Sequence, residues 1–110
     1  MTDKARLLHI LDAIDYIHQF LDNKNKDNFF NEPLLRFAIE RQLEIIGEAA
    51  NHLSDSLKNE YDDAEWRKIV AFRNFLIHEY FGVDVELVWG ITQKNLAPLK
   101  TIVSQILDEI

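Results

Sequence analysis

The sequence contains no cysteine, which excludes disulfide bonds, thiolate zinc sites and cysteine nucleophiles. Glycine and proline are scarce, with three Gly and two Pro, and they leave few positions for the many tight turns of an all-β fold. No apolar run reaches the ~20 residues of a membrane span, and the opening Met-Thr-Asp-Lys is not typical of a signal sequence. These absences favour a mainly helical protein of the cytoplasm, without a membrane segment.

Basic residues are also few. The chain has 12 Lys and Arg against 19 Asp and Glu, a net charge of −7. This balance opposes the wrapping of a phosphate backbone around the whole protein, so any contact with nucleic acid must be local. A length of 110 residues with 47% hydrophobic residues predicts one domain over residues 1–110, with a single core.

Apolar residues recur at spacings of three and four along most of the chain, which is typical of amphipathic helices. The first predicted helix, capped by Asp3, covers roughly residues 4–22, and a polar loop follows at 22–28. Gly82 is placed to end the third helix, and Pro98 either kinks the fourth helix or opens a fifth. The predicted starts of the later helices are Asn31, Asp62 or Asp63, and Asp84. The expected fold is an all-α, antiparallel bundle of four to five helices.

A polar stripe follows one face of the second predicted helix, opposite its apolar face. Its members are Arg41, Glu44, Glu48, Asn51 and Asp55. One interpretation is a solvated face with salt bridges. The other is that the stripe lines a cleft, for which the first three residues are the candidates, and the sequence leaves both interpretations open.

The third predicted helix carries polar residues where apolar ones are expected. Arg73 lies within its apolar face at ~100° per residue and therefore needs a partner. Asn74 and His78 are four residues apart, so the amide can hydrogen-bond the imidazole and fix its tautomer. Arg73 and His78 differ by ~140° on a straight helix, so one helix does not aim both at one substrate atom. Either the helix distorts, or a two-fold dimer brings an Arg73 and a His78 from each subunit into one cleft.

A purely structural interpretation of the same residues is also open. In it, Arg73 forms an internal ion pair with Glu44 or Glu48, and His78 is half-buried near a helix end.

The histidines do not predict a metal centre. His9, His18, His52 and His78 form no pair at the i, i+4 spacing, and no carboxylate set with ligand spacing accompanies them. His9 and His18 are interpreted as surface or packing residues. The three glycines lie too far apart for a phosphate-binding loop, so a self-contained nucleotide-hydrolysing enzyme is not expected, and no cofactor is predicted.

Two segments of the chain resemble a known family. The segment Arg73-Asn74-Phe-Leu-Ile-His78-Glu79-Tyr80 matches the Arg-x4-His-x-Tyr motif of the HepT-like proteins, a branch of the HEPN superfamily. The segment Arg41-Gln-Leu-Glu44-Ile-Ile-Gly47-Glu48-Ala-Ala is similar to the second-helix signature of that family. Trp66, Gly82-Val-Asp84 and Trp89 fit the same pattern, so the resemblance covers roughly residues 5–107. One departure is Asp63-Ala64-Glu65, where many relatives have a proline-containing turn.

The resemblance implies a homodimeric helical bundle that is the ribonuclease toxin of a type VII toxin–antitoxin pair. RNA would be its substrate, and a minimal nucleotidyltransferase would be its antitoxin. The family pattern implies that Arg73 and His78 are catalytic, that Asn74 supports them, and that the antitoxin transfers AMP from ATP to Tyr80. Metal-independent RNA cleavage needs a base, an acid and a cation, and these residue types supply proton transfer and positive charge.

Two further functions stay open. In the first, the chain is a non-catalytic helical partner that presents a nucleotide or substrate to a nucleotidyltransferase, with Arg73 gripping a phosphate. In the second, the chain is a plain helical dimerisation protein. The net charge of −7 favours these alternatives, because a free ribonuclease usually offers its substrate a basic surface.

Overall fold

The structure is a computed structural model that describes residues 1–78 and 84–110, apart from the side chain of His78. Over these residues the chain forms seven α-helices, which confirms the all-α bundle. They are α1 (Asp3–Phe20), α2 (Lys26–Asn31), α3 (Pro33–Asn51), α4 (Asp55–Glu60), α5 (Trp66–His78), α6 (Val85–Lys94) and α7 (Leu96–Glu109). The predicted number of helices was too low, because α2 and α4 have six residues each and show no clear period.

Helix α3 is the central element of the bundle. It packs along α1 on one side and along α5 on the other, and α7 packs against α1. Helix α1 contributes buried side chains at helical spacing, namely Leu7, Ile10, Ala13, Ile14 and Ile17. The buried residues of helix α3 are Ile39, Leu43, Ile46, Gly47, Ala49 and Ala50. Full burial of a large aliphatic side chain contributes about 1.5–3 kcal/mol, so these buried faces are a large source of stability.

The start of α1 differs from the prediction. Thr2 is the N-cap, and its hydroxyl accepts a hydrogen bond from the Ala5 backbone N–H at 3.1 Å. Asp3, the predicted cap, is instead the first helical residue. Its carboxylate accepts hydrogen bonds from the backbone N–H of Ser54 at 2.9 Å and from the Ser54 hydroxyl at 2.6 Å. The hydroxyl's hydrogen bond lowers the pKa of the Asp3 carboxyl and ties the start of α1 to the start of α4.

The loop predicted at residues 22–28 was wrong in its second half, where α2 begins. Asn25 and Asn28 form a reciprocal capping box, with two side chain to backbone hydrogen bonds of 2.9 Å each. Phe29 in this helix is fully buried, and its ring centroid lies 5.5 Å from that of Trp89. Through this aromatic contact, helix α2 extends the hydrophobic core to α6.

Helices α3 and α5 also begin with N-cap or first residues other than those predicted. Glu32, rather than Asn31, occupies the N-cap position of α3, and Pro33 is the first helical residue, as its fixed φ favours. Helix α5 begins at Trp66, and the predicted caps Asp62 and Asp63 lie in the turn before it.

The last two helices follow the prediction. Asp84 caps α6 by accepting a hydrogen bond from the Leu87 N–H at 3.1 Å. Pro98 lies in the first turn of α7, so it opens a separate helix and does not kink α6. The predicted helix end at Gly82 lies outside the described residues. Of the helices described, none combines the length and apolar character needed to cross a membrane.

Helices α3 and α5 approach each other closely at Gly47. A β-carbon at this position would lie 2.7 Å from Arg73 Cγ and would overlap Arg73 Cβ. Only a hydrogen atom fits between the two helices here. Gly47 therefore allows the backbone of α5 to carry Arg73 directly against α3.

We expect Gly47→Ala to lower the free energy of unfolding by about 1–3 kcal/mol, because the added methyl group must push α5 away from α3. The matched control is Gly90→Ala in α6, where nothing lies within 4 Å of the new methyl group. That variant should be neutral or gain up to about 1 kcal/mol from helix propensity. Urea unfolding followed by circular dichroism measures both. Equal stabilities of the two variants would contradict the close contact.

Candidate active site

A groove of about 460 Å³ lies along α1, α3 and α5, and it is called the Arg73 groove here. Its polar lining consists of three arginines, two histidines and two glutamates, namely Arg6, Arg41, Arg73, His9, His52, Glu44 and Glu48. Three arginines against two glutamates make this groove locally cationic in a chain whose net charge is −7. The groove is large enough for a small-molecule ligand or one nucleotide unit.

The polar stripe of α3 borders two grooves. Arg41, Glu44 and Glu48 line the Arg73 groove, and Arg41 Nη1 lies 3.4 Å from Glu44 Oε2. The stripe thus forms a salt bridge and lines a cleft, the two features that the sequence left open. Asn51, in contrast, lines a second polar groove of about 710 Å³ along the other flank of α5, together with Asn74. The second groove is called the Asn74 groove here.

Arg73 is held from two sides. Its side chain is only 26% exposed, and its Nη2 lies 2.5 Å from Glu48 Oε2. Its Nη1 donates a hydrogen bond to Asn74 Oδ1 at 2.8 Å. The internal ion pair expected for Arg73 is therefore present, and its partner is Glu48. Glu44 pairs with Arg41 instead.

The Arg73 guanidinium keeps hydrogen-bonding capacity beyond these two contacts. A guanidinium has five N–H donors, and the contacts with Glu48 and Asn74 involve two of its nitrogens. The Nε of Arg73 is buried, and no hydrogen-bond acceptor for it lies among the side chains the structure describes. A planar cation held in a fixed orientation is suited to a two-pronged contact with a phosphate.

The geometry gives Asn74 a contact that was not predicted from the sequence. Its amide oxygen accepts from Arg73, so Asn74 supports the guanidinium directly. The hydrogen bond predicted between Asn74 and His78 involves a side chain outside those described. The described part of helix α5 runs to His78, and Ile77 just before it lines the Arg73 groove. Tyr80 also lies outside the described residues, so the roles of His78 and Tyr80 stay predictions.

His52 is a groove residue that sequence reasoning did not single out. It is the C-cap of α3, and its Nε2 lies 2.8 Å from Glu48 Oε1. The two oxygens of Glu48 therefore contact two different groups, the His52 imidazole and the Arg73 guanidinium. The i, i+4 spacing of Glu48 and His52 was visible in the sequence, but only the packing of α5 shows that Arg73 joins them.

Two residues of α1 were missed for another reason. Arg6 and His9 precede the Arg-x4-His segment by more than sixty residues, and they border the groove only because α1 packs on α3. His9 is exposed, as the surface interpretation expects, yet it borders the groove. His18 is exposed in the last turn of α1 and is not part of the groove lining. Within the described part of the chain, no three His, Asp or Glu side chains cluster as metal ligands would.

The comparisons with known proteins agree on one family. The family model described as "Ribonuclease HepT-like" matches residues 10–106. A protein of Caldanaerobacter subterraneus subsp. tengcongensis named "Putative RNase" is 32% identical, over 98% of this chain and 96% of its own. A "Probable ribonuclease HepT" of Thermococcus cleftensis is 35% identical, over 90% of each chain.

A longer relative comes from Methanocaldococcus jannaschii, where it is named "Gamma-glutamylcyclotransferase and putative RNase". It is 36% identical over 97% of this chain, which spans only 48% of the length of that relative. No solved structure matches the chain.

Proposed function

The chain belongs to the ribonuclease HepT-like family, and from this premise we propose that it is the toxin of a type VII toxin–antitoxin pair, acting on RNA in the cytoplasm without a metal ion. The observation that carries the proposal is the position of Arg73, the first residue of the Arg-x4-His-x-Tyr segment. Its half-buried guanidinium borders a groove and is oriented there by Glu48 and Asn74.

The chemistry proposed is transesterification within the RNA chain. The 2′-oxygen attacks the adjacent phosphorus, the bond from phosphorus to the 5′-oxygen breaks, and a 2′,3′-cyclic phosphate forms. A base takes the proton of the 2′-hydroxyl, and an acid protonates the leaving 5′-oxygen. Arg73 stabilises the negative charge that develops on the phosphorane oxygens, and His78 supplies one of the two proton transfers.

We expect RNA cleavage that persists in EDTA and leaves 2′,3′-cyclic phosphate ends, read by gel electrophoresis and mass spectrometry of the fragments. His78→Ala should lose about 10²–10⁴-fold in rate, because a proton-transfer group is removed. Arg73→Lys should fail as well, because a point charge does not reproduce a two-pronged contact. His18→Ala, at an exposed histidine outside the groove, is the control. Full activity of His78→Ala would point to a contaminating nuclease.

We further propose that the protein is a homodimer whose active site is shared between subunits. One support is the ~140° between Arg73 and His78 on a straight helix. Another is an exposed apolar patch on α3, where Leu34 and Phe37 are 84% and 59% exposed among the described residues. Leu34, Phe37 and Arg41 follow one another at helical spacing, so the patch leads into the Arg73 groove. A second copy covering the patch would place the groove at the interface.

A mixing experiment tests the shared site. Light scattering should first give the mass of a dimer at micromolar concentration. Arg73→Lys and His78→Ala, each inactive alone, should then regain activity when co-refolded, since a mixed dimer holds one intact Arg73 and His78 pair. Random mixing predicts about one quarter of the wild-type rate. A monomer, or no recovery on mixing, would show that the subunits do not share the site.

Neutralisation is proposed to act through Tyr80, by AMP transfer from a minimal nucleotidyltransferase antitoxin. Tyr80 follows Arg73 by seven residues, which is two turns at a helical period. A nucleotide esterified to its hydroxyl would bring a phosphodiester anion near the arginine that otherwise holds the scissile phosphate.

We expect incubation with the nucleotidyltransferase and ATP to add one or more adenylyl groups, which peptide mass spectrometry should place on Tyr80. Tyr16 and Tyr61 are the internal controls. Tyr80→Phe should retain at least part of the cleavage activity and escape neutralisation. Silencing of this variant by the active partner would show that inhibition works by binding alone.

A non-catalytic role is the second candidate. In it, the chain presents a nucleotide or substrate to the nucleotidyltransferase, and Arg73 only grips a phosphate. The net charge of −7 favours this role, because it weakens the long-range attraction to RNA. The cleavage assay above decides between the two.

A further inference from the structure

Glu48 links two groups of the Arg73 groove that could act on the same substrate. Its Oε2 lies 2.5 Å from Arg73 Nη2, and its Oε1 lies 2.8 Å from His52 Nε2. The His52 side chain is 49% exposed, so a ligand in the groove can reach it. The cation and the imidazole are thus held by one carboxylate within a single subunit.

The hydrogen bond to Glu48 defines the tautomer of His52. An ionised carboxylate only accepts hydrogen bonds, so Nε2 carries the hydrogen that is donated to Glu48. The other ring nitrogen, Nδ1, then has the free electron pair with which a neutral imidazole takes a proton. This arrangement of base and carboxylate is common to hydrolases in which the carboxylate orients the imidazole and stabilises the imidazolium.

We propose that His52 is the general base of RNA cleavage in the Arg73 groove and that Glu48 positions it; the proposal rests on the proposed function. His52 Nδ1 takes the proton of the 2′-hydroxyl as the 2′-oxygen bonds to phosphorus. His78 donates a proton to the 5′-oxygen as its bond to phosphorus breaks. Arg73 contacts the phosphorane oxygens between these two events.

The reaction requires two proton-transfer groups. A centre that pairs the Arg73 of one subunit with a single His78 contains one of them, so a second group is needed. His9 also lines the groove, but none of the described side chains forms a hydrogen bond with its ring. His52 is held by a carboxylate that also contacts Arg73, so it is the better base.

The first test compares three variants with the wild type in the RNA cleavage assay. His52→Ala should lower kcat by about 10²-fold or more with little change in KM, because proton transfer is lost and the arginines remain. His52→Gln should be equally slow, although its amide can still donate to Glu48. His18→Ala should cleave at the wild-type rate. Circular dichroism and the unfolding midpoint confirm that all three are folded.

The Gln variant separates chemistry from structure. If His52 only held Glu48 in place for Arg73, Gln would preserve that contact and restore activity. Added imidazole should speed His52→Ala in proportion to its concentration and should leave Arg73→Lys unchanged. An active His52→Gln, or a wild-type rate for His52→Ala, would overturn the proposal.

A second test assigns base and acid separately. A uridine 3′-phosphodiester with a nitrophenyl leaving group needs no acid, because nitrophenolate leaves without a proton. On this substrate His78→Ala should recover most of its lost activity, and His52→Ala should not. Recovery of His52→Ala would reverse the assignment of the two histidines and overturn the proposal.

The two proposals fail in distinguishable ways. If purified wild-type protein cleaves no RNA and His78→Ala changes nothing, the proposed function is wrong. If the wild type cleaves RNA and loses activity with His78→Ala, but is indifferent to His52, only the role of His52 is wrong.

Discussion

The contact between α3 and α5 at Gly47 is the constraint on which the candidate site depends. The missing side chain of Gly47 lets Arg73 come against α3, and the next residue, Glu48, meets its guanidinium. Two consecutive residues therefore remove the steric obstacle and supply the opposite charge. Taking a guanidinium partly out of water is costly unless it is paired, so the position of Arg73 requires both residues together.

The same contact connects the two flanks of α5. Arg73 lines one groove and Asn74, the next residue, lines the other, yet a 2.8 Å hydrogen bond joins their side chains. The orientation of the guanidinium is therefore sensitive to both grooves. A ligand that competes for the Asn74 amide in the Asn74 groove would release one side of Arg73, although it touches no residue of the Arg73 groove itself.

Features that depend on local spacing were predictable from the sequence, and features that depend on packing were not. The long helices, the cap at Asp84 and the pairing of Arg73 with a glutamate of α3 all follow from helical periodicity and the cost of a buried charge. Helices α2 and α4 are too short to show a period, and polar caps at Asn25 and Ser54 define them instead. The contributions of Arg6 and His52 to the groove depend on how α1 and α5 sit on α3, which no single segment contains.

The distribution of charge has a consequence for how ionic strength acts on this protein. At long range the net charge of −7 repels a polyanion, whereas at contact the three arginines of the Arg73 groove attract it. Because the groove holds about one nucleotide unit, few phosphates are neutralised and few counterions are released, so the contact weakens only modestly with salt. Added salt also screens the repulsion beyond a Debye length of about 8 Å. The two effects oppose each other, so RNA association would vary little with ionic strength, unlike that of a basic nuclease.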